Sequence, residues 1–211
     1  MDNLNGIIKT AQRNQISNLD SLPIYDRSLV NYSDYHKYIG HAGVKYSVAV
    51  QATRGCPYRC FYCDVYKTTL HHFRRSVENI FDEVKMLSDL GVKRIEFIDD
   101  IFNVKAKDFK EFFRLVLKHK LKLNFFFPSA LKGDLLDQEG IDLMVEAGAI
   151  GVNISLESGS DRMQKVMRKN LNLDKFYENA RYITEKYPHV VLGLNAMHGF
   201  PTETEEEAMM T

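Results

Sequence analysis

From residue 45 onward the apolar positions alternate between two rhythms. Compact runs rich in β-branched and aromatic residues read as strands: 45–53 (KYSVAVQAT), 93–98 (KRIEFI), 122–127 (KLNFFF, ending at Pro128), 149–157 (AIGVNISLE) and 189–199 (HVVLGLNAMHG). Between them, apolar residues recur at helical spacing. In 76–91 they are Val77, Ile80, Phe81, Val84, Leu87 and Leu90, and Gly91 stops the run. Further helices are predicted over 106–120, 137–148, 160–168 and 174–187, with Asp137 as an N-cap and Gly148 as a terminator. The last ten residues, TETEEEAMMT, read as the opening turns of a helix, with carboxylates near the positive end of its dipole.

Residues 1–43 follow neither rhythm, and an extended lead-in packed on the outside of the domain is expected there. Five strand–helix units with short links predict an α/β fold, a parallel sheet with outer helices. Two closures fit: an open doubly wound sheet, or the curved wall of a (βα) barrel. A full barrel takes eight units in roughly 250 residues. Five units ending on the first turns of a helix lead us to expect a truncated chain.

Parallel α/β folds assemble their sites at the carboxyl ends of the strands. That rule puts three cysteines after the first strand and Asp99 with Asp100 after the second. PSALKGD follows the third, Glu157 with Ser158 the fourth, and HGFPTET the fifth. NFFFP is expected to be core rather than a stacking platform.

Charge removes some functions from consideration. Lys plus Arg number 28 and Asp plus Glu 28, which leaves no electrostatic footprint for nucleic acid or an acidic membrane surface. No apolar run approaches the roughly 18 residues needed to span a bilayer. The first fifteen residues lack the basic-then-apolar pattern of a secretion signal, and the odd, clustered set of cysteines makes the reducing cytoplasm the expected location.

All three cysteines, Cys56, Cys60 and Cys63, lie in RGCPYRCFYC (54–63). An odd, clustered set argues against a disulfide framework and leaves the thiols free for metal. A structural zinc site would need a fourth ligand, for which His71 or His72 is available; His198 stands at the same rim. An iron–sulfur cubane is usually held by four cysteines, so three would leave one iron open to a small molecule. Gly55 and Pro57 shape a tight loop, and Arg54 and Arg59 are expected to lower the thiol pKa values. These details favour the cluster, with a zinc-stabilised binding module as the alternative.

C-x3-C-x2-C with an aromatic before the last cysteine resembles the signature of radical S-adenosylmethionine (radical SAM) enzymes. IEFIDDIFN, SLESGSDRMQKVMRKN and GLNAMHGFPTETEEE are similar to the second-, fourth- and fifth-strand segments of the branch that often carries a cobalamin-binding domain. LDSLPIYDRSLVNY is similar to the linker after such a domain. The resemblance divides the chain into an N-terminal extension, 1–43, and a radical SAM core, 44–211, incomplete at its C-terminus.

This resemblance implies a partial barrel in which Cys56, Cys60 and Cys63 ligate a [4Fe–4S] cluster whose fourth iron chelates S-adenosylmethionine. Reductive cleavage would then give a 5′-deoxyadenosyl radical. It implies Tyr62 beside the adenine, Asp99 and Asp100 near the methionine ammonium, and Glu157 and Ser158 toward the methionine or ribose end. Arg168 would meet the carboxylate, and the segment from Asn195 to Pro201 would flank the adenine. Asp100, Ser158 and Ser160 have a simpler reading as helix caps. The implied chemistry is C-methylation or another radical modification of a small-molecule or natural-product substrate, with flavodoxin or ferredoxin as electron donor. Cobalamin would come with a domain outside this chain. A tRNA-thiolating enzyme with a similar core fits the neutral charge poorly, so no nucleic-acid partner is expected. An inactive remnant of a longer enzyme is a further reading.

Overall fold

The apolar runs become five strands: β1 (Ser47–Val50), β2 (Arg94–Phe97), β3 (Asn124–Leu131), β4 (Ala149–Glu157) and β5 (Val191–Ala196). The computed structural model describes residues 2–4, 7–11, 13–31, 34, 45–69 and 71–211. It joins the five strands in one sheet, in the order β1-β2-β3-β4-β5, with every neighbouring pair parallel. A doubly wound sheet reverses its strand order near the middle. A sheet that adds each new strand on the same side winds as a barrel wall does. The wall is partial, with β1 and β5 as its edges among the described residues.

The helices are α1 (Val65–Thr68), α2 (Val77–Asp89), α3 (Ala106–Lys118), α4 (Gln138–Glu146), α5 (Asp161–Val166), α6 (Leu173–Lys186) and α7 (Glu205–Met209). Helices α2, α3, α4 and α6 pack in succession along one face of the sheet. Their apolar stripes meet alternate strand residues, Val48, Val50, Ile95, Phe97, Phe125, Phe127, Val152 and Ile154, in a single core. NFFFP is core, as expected. Phe97 stacks on Phe127 at 5.4 Å between centroids and meets the edge of Phe112. The strand residues in between point to the other face, where polar groups collect: Asn153, Ser155 and Glu157 follow one another at period two along β4.

Caps set the helix starts: the side chains of Ser76, Asp137 and Asn172 each accept from an amide three residues on, and Thr204 forms a capping box with Glu207. Three expectations are corrected. β1 ends at Val50, and Thr53–Arg54 instead pairs antiparallel with Phe73–Arg74. β3 does not stop at Pro128 but runs on to Leu131, the ladder changing register between Phe127 and Leu131 where proline has no amide to give. The lead-in is not wholly extended: Asp2–Leu4 pairs with Ile7–Lys9, and 3-10 turns form at Leu19–Ser21 and Arg27–Leu29.

Around residues 20–27 that segment packs against α2 and the end of β1. Asp20 accepts from the Ser76 amide at the start of α2, and Arg27 and Arg75 both reach the buried Glu83 at 2.5 Å. Residues 35–44, which include the expected boundary between extension and core, lie outside the described residues.

Candidate active site

The short ribbon of Thr53–Arg54 with Phe73–Arg74 closes the base of a loop that carries all three cysteines. Gly55 opens the loop at φ +80°, and a Cβ there would run into the carbonyl of His71, so only glycine passes. Asp100 Oδ2 accepts from the Gly55 amide at 3.0 Å. Farther along, the Phe61 amide donates to the carbonyl of Met167 at the end of α5, and the Cys63 amide closes a turn on Cys60.

Asp99 works beneath the loop. Its Oδ1 accepts from the Ala52 amide (2.9 Å), the Thr53 amide and the Thr53 hydroxyl (2.6 Å), tying the end of β1 to the end of β2. Burial pushes its carboxyl up to about 6, against the opposing pull of the Thr53 bonds and Arg74, and its Oδ2 is buried without a partner.

Above the loop base lies a cavity of about 170 Å³. Cys56, Cys60, Cys63, Tyr58 and Tyr62 line it from the loop, and Asp100 from the end of β2. Leu131 comes from β3 and Lys132 from the turn after it, Ser155 and Glu157 from β4, and Lys169 from the turn after α5. Burial, and then the neighbouring thiols and Asp100, push the Cys56 thiol up, while the Tyr58 amide pulls the other way. The expected lowering by Arg54 and Arg59 is therefore overturned at Cys56: both arginines are exposed, and desolvation dominates. Burial and the adjacent Glu157 carboxylate push the Tyr62 phenol up.

Glu157 reaches the cavity through an irregularity. It takes φ +65°, and the β4–β5 register shifts between Ser155 and Glu157. Lys169 Nζ donates to Glu157 Oε1 at 3.0 Å, with both side chains buried. Lys132 is similarly buried and donates to both oxygens of Asp134 at 2.7 Å.

The structure thus brings together Cys56, Cys60, Cys63, Tyr62, Asp100 and Glu157, and sets the other candidates apart. Asp99 lies behind the loop, not in the cavity. Ser158 is fully buried in a turn, its hydroxyl accepting from the Ser160 amide and from Thr211. It does not cap α5; Ser160 does. Nor does Asp100 cap a helix. Arg168 is exposed at φ +55°, and this left-handed turn delivers the next residue, Lys169, to the site instead. Asn195 stands one bond back, donating to Ser155 at 3.1 Å. Pro201 is exposed, while its neighbour Phe200 meets Phe61 and Tyr62 edge-on at 6.4 and 6.5 Å.

Sequence reasoning missed Lys169 and Lys132. Both follow strand or helix ends on the expected rim, but only tertiary placement separates them from other lysines. The zinc alternative loses its fourth ligand. His71 packs on Phe73, His72 has a buried Nε2 with no hydrogen-bond partner, His198 is exposed, and none of them lines the cavity. Among the described residues, no three His, Cys, Asp or Glu side chains converge on a single-ion site. Among them, too, no helix is long and apolar enough to cross a membrane.

Comparison with known proteins supplies the family and the fold. The tRNA-2-methylthio-N(6)-dimethylallyladenosine synthase of Aquifex aeolicus is 27% identical over 173 residues, covering 77% of this chain and 39% of that protein. An uncharacterised methyltransferase of Pyrococcus horikoshii is 28% identical over 201 residues, 93% of this chain and 41% of its own length. The chain therefore spans about two fifths of the curated relatives it matches. Among solved structures, the radical S-adenosylmethionine methyltransferase TsrM of Kitasatospora setae superposes with a TM-score of 0.70 at 19% identity. That match covers 84% of this chain and 34% of TsrM, and shows a shared fold. The profile of the Radical SAM superfamily matches residues 50–211, which include the cysteine loop and strands β2 to β5, and this chain belongs to that superfamily.

Proposed function

We propose that residues 44–211 are the core of a radical SAM enzyme in which Cys56, Cys60 and Cys63 hold a [4Fe–4S] cluster, with S-adenosylmethionine bound beside it. The observation that carries this reading is that every cysteine of the chain opens on one cavity at the carboxyl ends of the strands. The donor set fits. In a cubane each thiolate meets its own iron, so the three must surround a space rather than converge on a point. When bound, the cluster supplies an electron that cleaves the sulfonium, giving a 5′-deoxyadenosyl radical able to take hydrogen from an unactivated carbon.

The chain's own residues bind and orient. Asp100 holds the loop through Gly55, and Lys169 neutralises Glu157 so that a carboxylate can stand in a buried site. Tyr62, braced by Phe200, presents a ring face and excludes water. Asp100 and Glu157 are the acceptors available to the ammonium and ribose hydroxyls of the nucleotide, and Lys169 is a cation within reach of its carboxylate. On this reading Asn195 and Ser158 act by side-chain bonds that hold the rim, and Arg168 and Pro201 through their backbone.

Methylation of a carbon on a small molecule or natural product is the reaction we favour, reduced by a flavodoxin or ferredoxin. The fold shared with TsrM and the balanced charge support it. TsrM has been solved with cobalamin and a [4Fe–4S] cluster bound, and we extend cobalamin to the whole protein through a domain beyond residues 1–211. The likeness to tRNA-modifying synthases favours a second reading, a core acting on tRNA. Binding to bulk tRNA that is tight and falls steeply with salt would select it; none is expected here.

The first test is anaerobic reconstitution beside a variant with all three cysteines changed to Ala. Near-four iron and sulfide per chain, and an electron paramagnetic resonance spectrum perturbed by S-adenosylmethionine, are expected. Bound zinc without sulfide would overturn the proposal.

A further inference from the structure

We propose that Lys132 sets the reduction potential of the cluster, with Asp134 deciding how much of its charge the cluster feels. The inference rests on the cluster reading above and deepens it.

Lys132 lines the same cavity as the three cysteines. Asn103, itself buried, clasps its backbone from both sides, donating to the Lys132 carbonyl at 2.9 Å and accepting from the Lys132 amide at 3.0 Å. The ammonium lies 5.1 Å from the ring centroid of Tyr58, which sits midway between Cys56 and Cys60 in sequence. The cation is therefore fixed against the segment that carries two of the ligands.

Its partner makes the charge adjustable. Lys132 and Asp134 are each 8% exposed in their side chains, so the pair is nearly dry. A buried ion pair costs desolvation that its attraction barely returns, and a stable core has little use for one. The other cavity charges, Lys169 with Glu157 and Asp100 on the Gly55 amide, are those assigned above to the nucleotide, which leaves the Lys132–Asp134 pair without a role there. Three thiolates make the cluster site anionic, and adding an electron makes it more so. A nearby cation in low dielectric favours the reduced state, and an unbalanced carboxylate opposes it. Lys132 acts through this field and is a positioning residue, not a catalytic one.

The test is a redox titration of the reconstituted chain, followed by electron paramagnetic resonance, on wild type and Lys132→Met, Lys132→Arg, Asp134→Asn and the Met/Asn double variant. Lys132→Met should shift the midpoint to more negative potential, and Asp134→Asn to more positive. Lys132→Arg should stay near wild type, and the double variant should return toward it. Loss of packing alone cannot give opposite signs from the two partners. Shifts of the same sign, or none, overturn the inference. If Lys132→Met fails to load, a null or negative shift in Asp134→Asn still overturns it. A wild-type chain that assembles no cluster overturns the cluster reading and this inference together.

Discussion

Asp100 Oδ2 accepts a hydrogen bond from the backbone amide of Gly55 at 3.0 Å, so the carboxyl end of the second strand holds the first turn of the cysteine loop. Neither residue needs to touch metal to matter. Gly55 supplies a backbone geometry closed to other residues, and Asp100 anchors it. Gly55→Ala should therefore destabilise the fold by about 1–3 kcal/mol through strain at positive φ and abolish cluster loading. Asp100→Ala should cost about 1 kcal/mol and lower iron content, with Asp100→Asn restoring much of both. Urea unfolding and iron assay read the two effects separately.

Asp99 makes a prediction about pH. Its folded-state pKa is raised from the ordinary 3.8 to about 6 by burial, so the folded protein holds this proton where the unfolded chain has released it. The favourable contribution is thus present below pH 3.8 and is lost as pH rises through 6, a change of about 3 kcal/mol. Asp99→Asn keeps the Oδ1 acceptor and removes the titration. Its stability relative to wild type should improve by up to about 3 kcal/mol between pH 4 and pH 7. A difference that stays flat across that range would contradict the assignment.

The lead-in is held to the core by charge. Glu83, 3% exposed, sits between Arg27 and Arg75. Removing a buried partner leaves like charges uncompensated, typically at 3–5 kcal/mol. The guanidinium side chains keep 18% and 12% exposure, so Glu83→Gln should fall at the low end, about 3 kcal/mol. Limited proteolysis should cut the variant first within residues 18–31.

Lys169 should govern nucleotide binding. With Lys169→Met, Glu157 loses its buried partner, and affinity for S-adenosylmethionine should fall at least about tenfold, or about 1.4 kcal/mol. Lys169→Arg should retain most of it, and Arg168→Met should change affinity little because Arg168 is exposed away from the cavity. Equilibrium dialysis on reconstituted protein decides; equal losses at 168 and 169 would refute the placement.

Much of this was legible before the fold. The helix caps at Asp137 and Gly148, the full extent of β4, and the clustering of Cys56, Cys60 and Cys63 at a strand end all follow from local rules of period and turn chemistry. Less legible was anything that depends on one residue's direction. Asp99 and Asp100 are adjacent, yet in the turn after β2 they face opposite sides of the loop base, one into a dry interior and one to the cavity rim. Arg168 and Lys169 are separated by a left-handed turn that has no signature, because arginine rarely adopts it.

By itself, the sequence determined the five sheet strands and the main helices, their order and the loop that carries the thiols, since each is encoded in neighbours within about one helical turn or one strand. The family resemblance implied a partial barrel, but periodicity left an open sheet and a barrel wall both possible, and tertiary structure decided between them, because strand order is a relation between segments far apart in the chain. It also decided which charges share the cavity. Lys132 and Lys169 look like any surface lysine along the chain, and become site residues only when β3 and β4 bring their buried partners to one rim.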